Sequence, residues 1–345
     1  MPRLLKLLPI LLTIPAAGIL YQWLGTRRDK RRFLDSTKLI DIGEGRQMYL
    51  YKIGNGSPTV IFESGIGATS QNWTWLQQQL GRYTTTISYD RLGLGWSSPA
   101  TTHRTPSNIA RELHALLEQA GVAPPYLLVG HSFGGLVVRR FAADYPGKVT
   151  GVLLIDPMRP DQWPPFSDAQ RNEIDRGLLF SKIGAPLARI GIVRLTMTSL
   201  LCGSGRIPRA IGRITGPEGR FLFGRITTEV GKMAPECRPA IVATWSSPNF
   251  YRGLAAYLNA IPASTVEMHH APPIDGIPVV ILTAANASPL DDEALARIGT
   301  NARQLHPEET THWIHLDQPH HVLNAIQTLL EEIHASQPTP KHESQ

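Results

Sequence analysis

Residues 126–146, "YLLVGHSFGGLVVRRFAADYP", drive an apolar run into Gly-His-Ser-Phe-Gly-Gly and then resume with a helical pattern. Residues 126–129 are strand-like, while Leu136, Arg140 and Ala143 share one face of a predicted helix that should stop near Pro146. Glycines two positions before and two after Ser132 allow a turn too tight for side chains carrying a Cβ, so the chain can pass from strand to helix with Ser132 lifted outward. A bare Gly-x-Ser-x-Gly arises by accident in roughly one chain in ten of this length. The strand before it and the helix after it make this copy a nucleophile elbow, and an elbow commits the chain to a strand-turn-helix unit.

The rest of the chain repeats that alternation. "RQMYLYKIG", "SPTVIFESG" and "YTTTISYD" read as strands, with the helical "WTWLQQQLG" before the third. Thr105-Pro106 starts a helix whose Ile109, Leu113 and Leu116 fall on one face, and "VTGVLLIDP" and "IPVVILTA" are further buried-strand candidates. The pattern predicts an α/β fold with a mainly parallel, doubly wound sheet covered on both faces. Between the last two strands the alternation stops. Residues 158–275 are too long for a connection and are assigned to a helical cap inserted in a core of residues 45–157 and 276–335. "QPHHVLNAIQTLLEEIHA" gives a closing amphipathic helix, and 336–345 is a polar tail expected to be disordered.

The N-terminus reads differently. Residues 4–25, "LLKLLPILLTIPAAGILYQWLG", form an apolar helix about long enough to cross a bilayer, with Tyr21 and Trp23 where interfacial aromatics lie. The expectation is an N-terminal membrane anchor over 1–26, followed by a basic linker over 27–44 and in contact with membrane lipid. The alternative is a cleaved signal peptide, with Arg3 and Lys6 as its basic end and a cut near residues 17–25. The larger basic cluster, "RRDKRR" at 27–32, favours a cytoplasmic catalytic domain in the anchored case. Much of the formal charge of +6 sits in that cluster and in scattered arginines between 159 and 252. No nucleic-acid motif accompanies it, so no nucleic-acid partner is expected. Two cysteines, Cys202 and Cys237, exclude a disulfide-dense scaffold and zinc spacing while leaving one disulfide open. No metal or cofactor is expected.

A serine hydroxyl is a weak nucleophile at neutral pH and needs a base to take its proton and an acid to orient that base. On a strand-turn-helix scaffold of this kind the chain order is serine, acid, histidine. In "EETTHWIHLDQPHHVLNAI", His320 and His321 belong to the helix started by Pro319, which leaves His312 and His315 as candidate bases.

Taken together, Ser-Gly-Ile-Gly at 64–67, "YDRLGLGWSS" at 89–98, "LVGHSFGG" at 128–135 and "HWIHLDQP" at 312–319 resemble the α/β-hydrolase superfamily, in its serine-nucleophile branch. The resemblance implies that His312, heading the His-aromatic-Ile-x-Leu segment, is the catalytic histidine and that His315 is a polar strand or loop residue. It implies an oxyanion hole made by the backbone amides of Phe133 and Ile66. The family's usual His-Gly start is Ser64-Gly65 here, so the preceding side chain has a different role. Asp90 and Arg91 read as a structural pair. The acid is open: counting beyond "PVVILTA" to the family's usual place reaches Ala287, with Asp291 and Asp292 several residues late, whereas Asp156 closes the preceding strand, the other position from which the superfamily supplies this carboxylate. Asp156 and Asp291 are the two candidates.

The implied function is hydrolysis of a carboxylic ester or related small-molecule acyl substrate through a covalent acyl-enzyme. Members with epoxide hydrolase or dehalogenase chemistry carry an aspartate at the nucleophile position, unlike Ser132. The rival is a ligand-binding or sensor protein on the same scaffold with slow or absent turnover, for which the missing acid at 287 is the only sign.

Overall fold

Strands that are apolar on both faces need cover from both sides, and this chain supplies it. The computed structural model describes residues 2–160, 166–202, 228 and 230–336. In order come α1 (Pro2–Phe33), β1 (Leu39–Asp41), β2 (Gln47–Ile53), β3 (Thr59–Glu63), α2 (Thr74–Leu80), β4 (Thr86–Tyr89), α3 (Pro106–Gln119), β5 (Tyr126–His131), α4 (Phe133–Asp144) and β6 (Val149–Ile155). Among the described residues four helices then intervene: α5 (Asp168–Arg189), α6 (Ile192–Leu201), α7 (Arg238–Trp245) and α8 (Pro248–His269). The sheet resumes with β7 (Val279–Leu282), α9 (Asp292–Ile298), β8 (Ala302–Leu305), α10 (Ile314–Asp317) and α11 (Pro319–Ala335).

The eight strands lie in the order β1-β2-β4-β3-β5-β6-β7-β8, antiparallel at the β1-β2-β4 edge and parallel from β4 to β8. Alternate side chains of the central strands go to opposite faces. Ile61, Leu128, Val152, Leu154 and Ile281 pack with Leu113 and Leu116 of α3 and Val138 and Phe141 of α4. Phe62, Leu127, Val129, Leu153 and Val280 pack with Leu76 and Leu80 of α2 and Ile326 and Leu329 of α11. This is the mainly parallel, two-sided sheet that the alternation predicts. The short edge strands β1 and β8 were not anticipated; β8, "ARQL", alternates half-buried and exposed positions and has no apolar run to mark it. Parts of the expected cap (161–165, 203–227 and 229) and of the expected tail (337–345) lie outside the described residues.

The membrane anchor is overturned. Among the described residues no helix is long and apolar enough to cross a membrane. Helix α1 runs unbroken to Phe33, and its second half docks on protein. Gln22 donates from Nε2 to the Ser246 carbonyl (2.9 Å) and accepts from Arg194 Nε (2.9 Å), while the Arg194 guanidinium pairs with Asp29. All three side chains are buried. A Cβ on Gly18 would stand 2.3 Å from the Ile190 carbonyl oxygen, so the helix approaches the α5–α6 junction at backbone distance. Cleavage at 17–25 would cut through this docked helix. The expected contact with membrane lipid loses its support with the anchor. Cys202 and Cys237 are free, the first exposed and the second buried.

Candidate active site

The elbow is built by close approach. Ser132 takes φ 53° and ψ −120° between β5 and α4, a conformation that costs a side-chain-bearing residue energy and is held by its surroundings. Its N–H donates to Ile155 O (3.0 Å), and its carbonyl accepts from Gly135 N (2.9 Å) and Met158 N (3.1 Å). The flanking glycines are needed for space: a Cβ on Gly130 would lie 2.6 Å from Val138 Cγ2, and one on Gly134 would lie 2.5 Å from Glu63 O and 2.7 Å from Ser64 O. Phe133 opens α4, where the first backbone N–H groups have no acceptor within the helix and the helix dipole favours negative charge.

The loop after β3 reaches the same place. A Cβ on Gly65 would sit 2.9 Å from His131 Nδ1 and 3.4 Å from Ser132 Cβ, so only glycine lets Ile66 run beside the elbow. Ser64 is buried; its hydroxyl accepts from Trp73 Nε1 (2.8 Å) and donates to Thr69 O (3.2 Å), closing the loop on itself. Helix α8 roofs it, with Phe250 and Leu254 against Gly67 and a glycine-to-glycine contact between Gly253 and Gly93.

Asp90 and Arg91, expected as a pair, part company. Asp90 accepts the backbone N–H groups of Ser70 (2.8 Å) and Trp96 (2.9 Å), and burial raises its carboxyl above the usual range. Arg91 instead pairs with Glu63 at the end of β3, with Nε 3.5 Å from Oε1, and donates to the Gly65 carbonyl. Tyr89 donates its hydroxyl to the other Glu63 oxygen. Burial pushes the Glu63 carboxyl up to about 7 against the pull of Arg91 and Tyr89. Glu63 and Tyr89 were not singled out from the sequence. A glutamate closing the apolar run "TVIF" was the available signal, since a buried carboxylate requires a partner.

Of the two candidate acids, one meets the histidine. His312 Nδ1 donates to Asp156 Oδ2 at 2.6 Å, and Asp156 Oδ1 accepts from Ala284 N at 3.1 Å. Asp156 stands at the end of β6 with φ 39°, turned toward the next strand by its N–H bond to Leu282 O (2.7 Å). Asp291 does other work: its carboxylate caps α9 by accepting from Ala294 N at 2.8 Å. His131 ties β5 to the histidine loop, donating from Nε2 to the His312 carbonyl (2.8 Å), its ring 4.8 Å from that of His312. His315 turns inward and stacks on Trp73 at 4.5 Å. Burial, then the neighbouring histidines, holds His131 well below the usual imidazole range and brings His315 down to about 3, so both stay neutral beside His312. With Nδ1 engaged by Asp156, the His312 Nε2 is left as the nitrogen able to take a proton. Ile66, Ser132 with Phe133, and Asp156 thus follow the carboxyl ends of β3, β5 and β6, and His312, on the loop beyond β8, joins them through Asp156, while Asp291 stands apart in its capping role.

Residues 58–180 match the family model described as alpha/beta hydrolase fold. The protein YqjL of Bacillus subtilis strain 168 is 33% identical over 111 residues, 32% of this chain and 44% of that protein. An AB hydrolase superfamily protein of Gibberella zeae is 36% identical over 126 residues, 34% of this chain and 39% of that protein. The chain therefore spans less than half the length of these relatives. A thermophilic esterase from Thermogutta terrifontis superposes with a TM-score of 0.58 at 20% identity, over 86% of this chain and 98% of the esterase.

Proposed function

For a chain with the α/β-hydrolase fold, we propose hydrolysis of a carboxylic ester or related acyl substrate through a covalent acyl-enzyme. Ser132 attacks the acyl carbon, and His312 takes its proton and later returns one to the leaving group. Asp156 orients the imidazole and stabilises its charged form, and the amides of Ile66 and Phe133 bind the developing oxyanion. One observation carries the reading: a histidine on a separate loop meets a strand-end carboxylate at 2.6 Å beside a serine held at an elbow. A serine at that position argues against the aspartate-nucleophile chemistries. The inserted helices act as a cap that selects the acyl group, since Phe133, Leu136 and Val137 of α4 share an apolar cluster with Ile241, Trp245, Phe250 and Tyr257. The sensor alternative rested on the gap at Ala287, and the Asp156–His312 bond supplies a carboxylate without that position.

A fluorophosphonate label tests the reading. It should modify Ser132 stoichiometrically in the wild type and not at all in Ser132→Ala, whose turnover on a panel of short- and long-chain esters should fall below about 1%. An inert Ser132 in a folded sample would defeat the proposal.

A further inference from the structure

Arg91 is only 2% exposed, and the hydrogen bond it makes goes to backbone, from Nη2 to the Gly65 carbonyl. The guanidinium lies under the Tyr257 ring of α8 at 4.5 Å and beside the Phe133 ring at 5.5 Å, with Glu63 and Tyr89 completing the enclosure. Compared with an apolar substitute, a buried ion pair of this kind contributes little net stability. What it supplies is direction. The Gly65–Ile66 peptide is trans, and across a trans peptide the carbonyl and the following N–H point in opposite senses. A clamp on the Gly65 carbonyl therefore also fixes the Ile66 N–H.

We propose that Arg91, held by Glu63 and Tyr89, is a positioning residue that aims the Ile66 N–H at the oxyanion of the Ser132 reaction. This rests on the serine-hydrolase reading above. As the Ser132 oxygen bonds to the acyl carbon, the carbonyl electron pair moves onto oxygen, and a preoriented donor then gains strength without reorganising. Loss of the clamp should therefore act on the transition state and spare substrate binding. Tyr257 gives the cap a part in this, because the ring that covers Arg91 belongs to α8 and its hydroxyl donates to Leu92 O (3.0 Å).

The test compares wild type, Arg91→Lys and Glu63→Gln with p-nitrophenyl acetate, each rate divided by the sites titrated with fluorophosphonate. Arg91→Lys should lose about 30-fold or more in kcat with KM within about threefold, and should bind a trifluoromethyl ketone, which forms a tetrahedral adduct on serine, more weakly by the same factor. Glu63→Gln leaves the arginine without its ion partner and should lose about fivefold in the same two readouts. A merely structural role would lower Tm and the titratable fraction while leaving kcat per site unchanged. Arg91→Lys with kcat within threefold of wild type overturns the clamp, and if that variant does not fold, Glu63→Gln decides by unchanged kcat and unchanged ketone affinity. A wild type that neither labels nor turns over defeats the serine-hydrolase reading itself, which separates that failure from failure of the clamp.

Discussion

His315 is 3% exposed, stacked on Trp73, and neither of its ring nitrogens meets a hydrogen-bond partner among the described residues. Replacing it with phenylalanine keeps an aromatic ring on Trp73 and removes two buried polar atoms. At pH 7, His315→Phe should be more stable than wild type by about 1–3 kcal/mol, the cost of an unsatisfied buried group. The more telling quantity is how that gap changes with pH. In the unfolded chain the imidazole takes a proton near its ordinary 6.5; in the folded protein burial, then His312, lowers this to about 3.

A histidine depressed in this way contributes stability that is present above the unfolded value and lost as pH falls toward the folded one. In that window the unfolded chain binds one more proton, and each pH unit is worth about 1.4 kcal/mol. Integrated from pH 7 to pH 5, the wild type loses about 2 kcal/mol through His315 alone. His131 acts in the same direction and Glu63 in the opposite one, but burial, the leading cause for both, is retained in the variant, so they largely cancel in the difference. Urea unfolding followed by circular dichroism at pH 7 and pH 5 should show the gap between His315→Phe and wild type widening by about 2 kcal/mol. A gap constant within about 0.5 kcal/mol would mean that His315 titrates normally in the folded state, and the reasoning would fail.

Asp156→Asn should reduce ester turnover by up to roughly four orders of magnitude with little change in fold, while Asp291→Asn should leave both the rate and the stability nearly unchanged, since asparagine caps a helix about as well as aspartate. Comparable rate losses in both would unseat Asp156. His312→Ala should abolish turnover in the same assay, whereas His315→Phe should stay within several-fold of wild type. Gly134→Ala pushes a methyl against two backbone oxygens of the β3 loop and should cost about 1–3 kcal/mol together with activity, and a variant with unchanged Tm would contradict the close approach. Asp29→Asn strands the buried Arg194 charge and should destabilise by about 3–5 kcal/mol, with faster tryptic cleavage at residues 27–32; unchanged proteolysis would argue against the docked helix.

The central strands and the elbow could be read from the sequence because their signals are local: apolar runs of strand length, and glycines two residues either side of a serine. The pairing of Asp156 with His312 could not. Asp156 and His312 are 156 positions apart, and they meet because β6 and β7 pair in one particular register, Ile155 beside Leu282, which puts Asp156 at the mouth of the next strand. Register across an insertion of that length has no trace in composition. Asp291, the alternative, spends its carboxylate on the first turn of α9.

The N-terminal helix shows how a true observation led to the wrong solvent. The stretch is apolar, but apolar side chains are indifferent to whether lipid or protein covers them, and the deciding residues are the others. Gly18, Gln22, Gly25 and Asp29 recur at intervals of four, three and four, which places them on one helical face. Two glycines on that face admit a neighbour at short range: a Cβ on Gly18 would strike the Ile190 carbonyl, and one on Gly25 would strike the Arg194 side chain. The two polar residues between and beyond them require partners once covered, and Arg194 and Ser246 provide them. A bilayer over residues 4–25 would leave Gln22 without those partners. The spacing of small and polar residues along the face, read before the mean hydropathy, separates a helix that docks from one that spans.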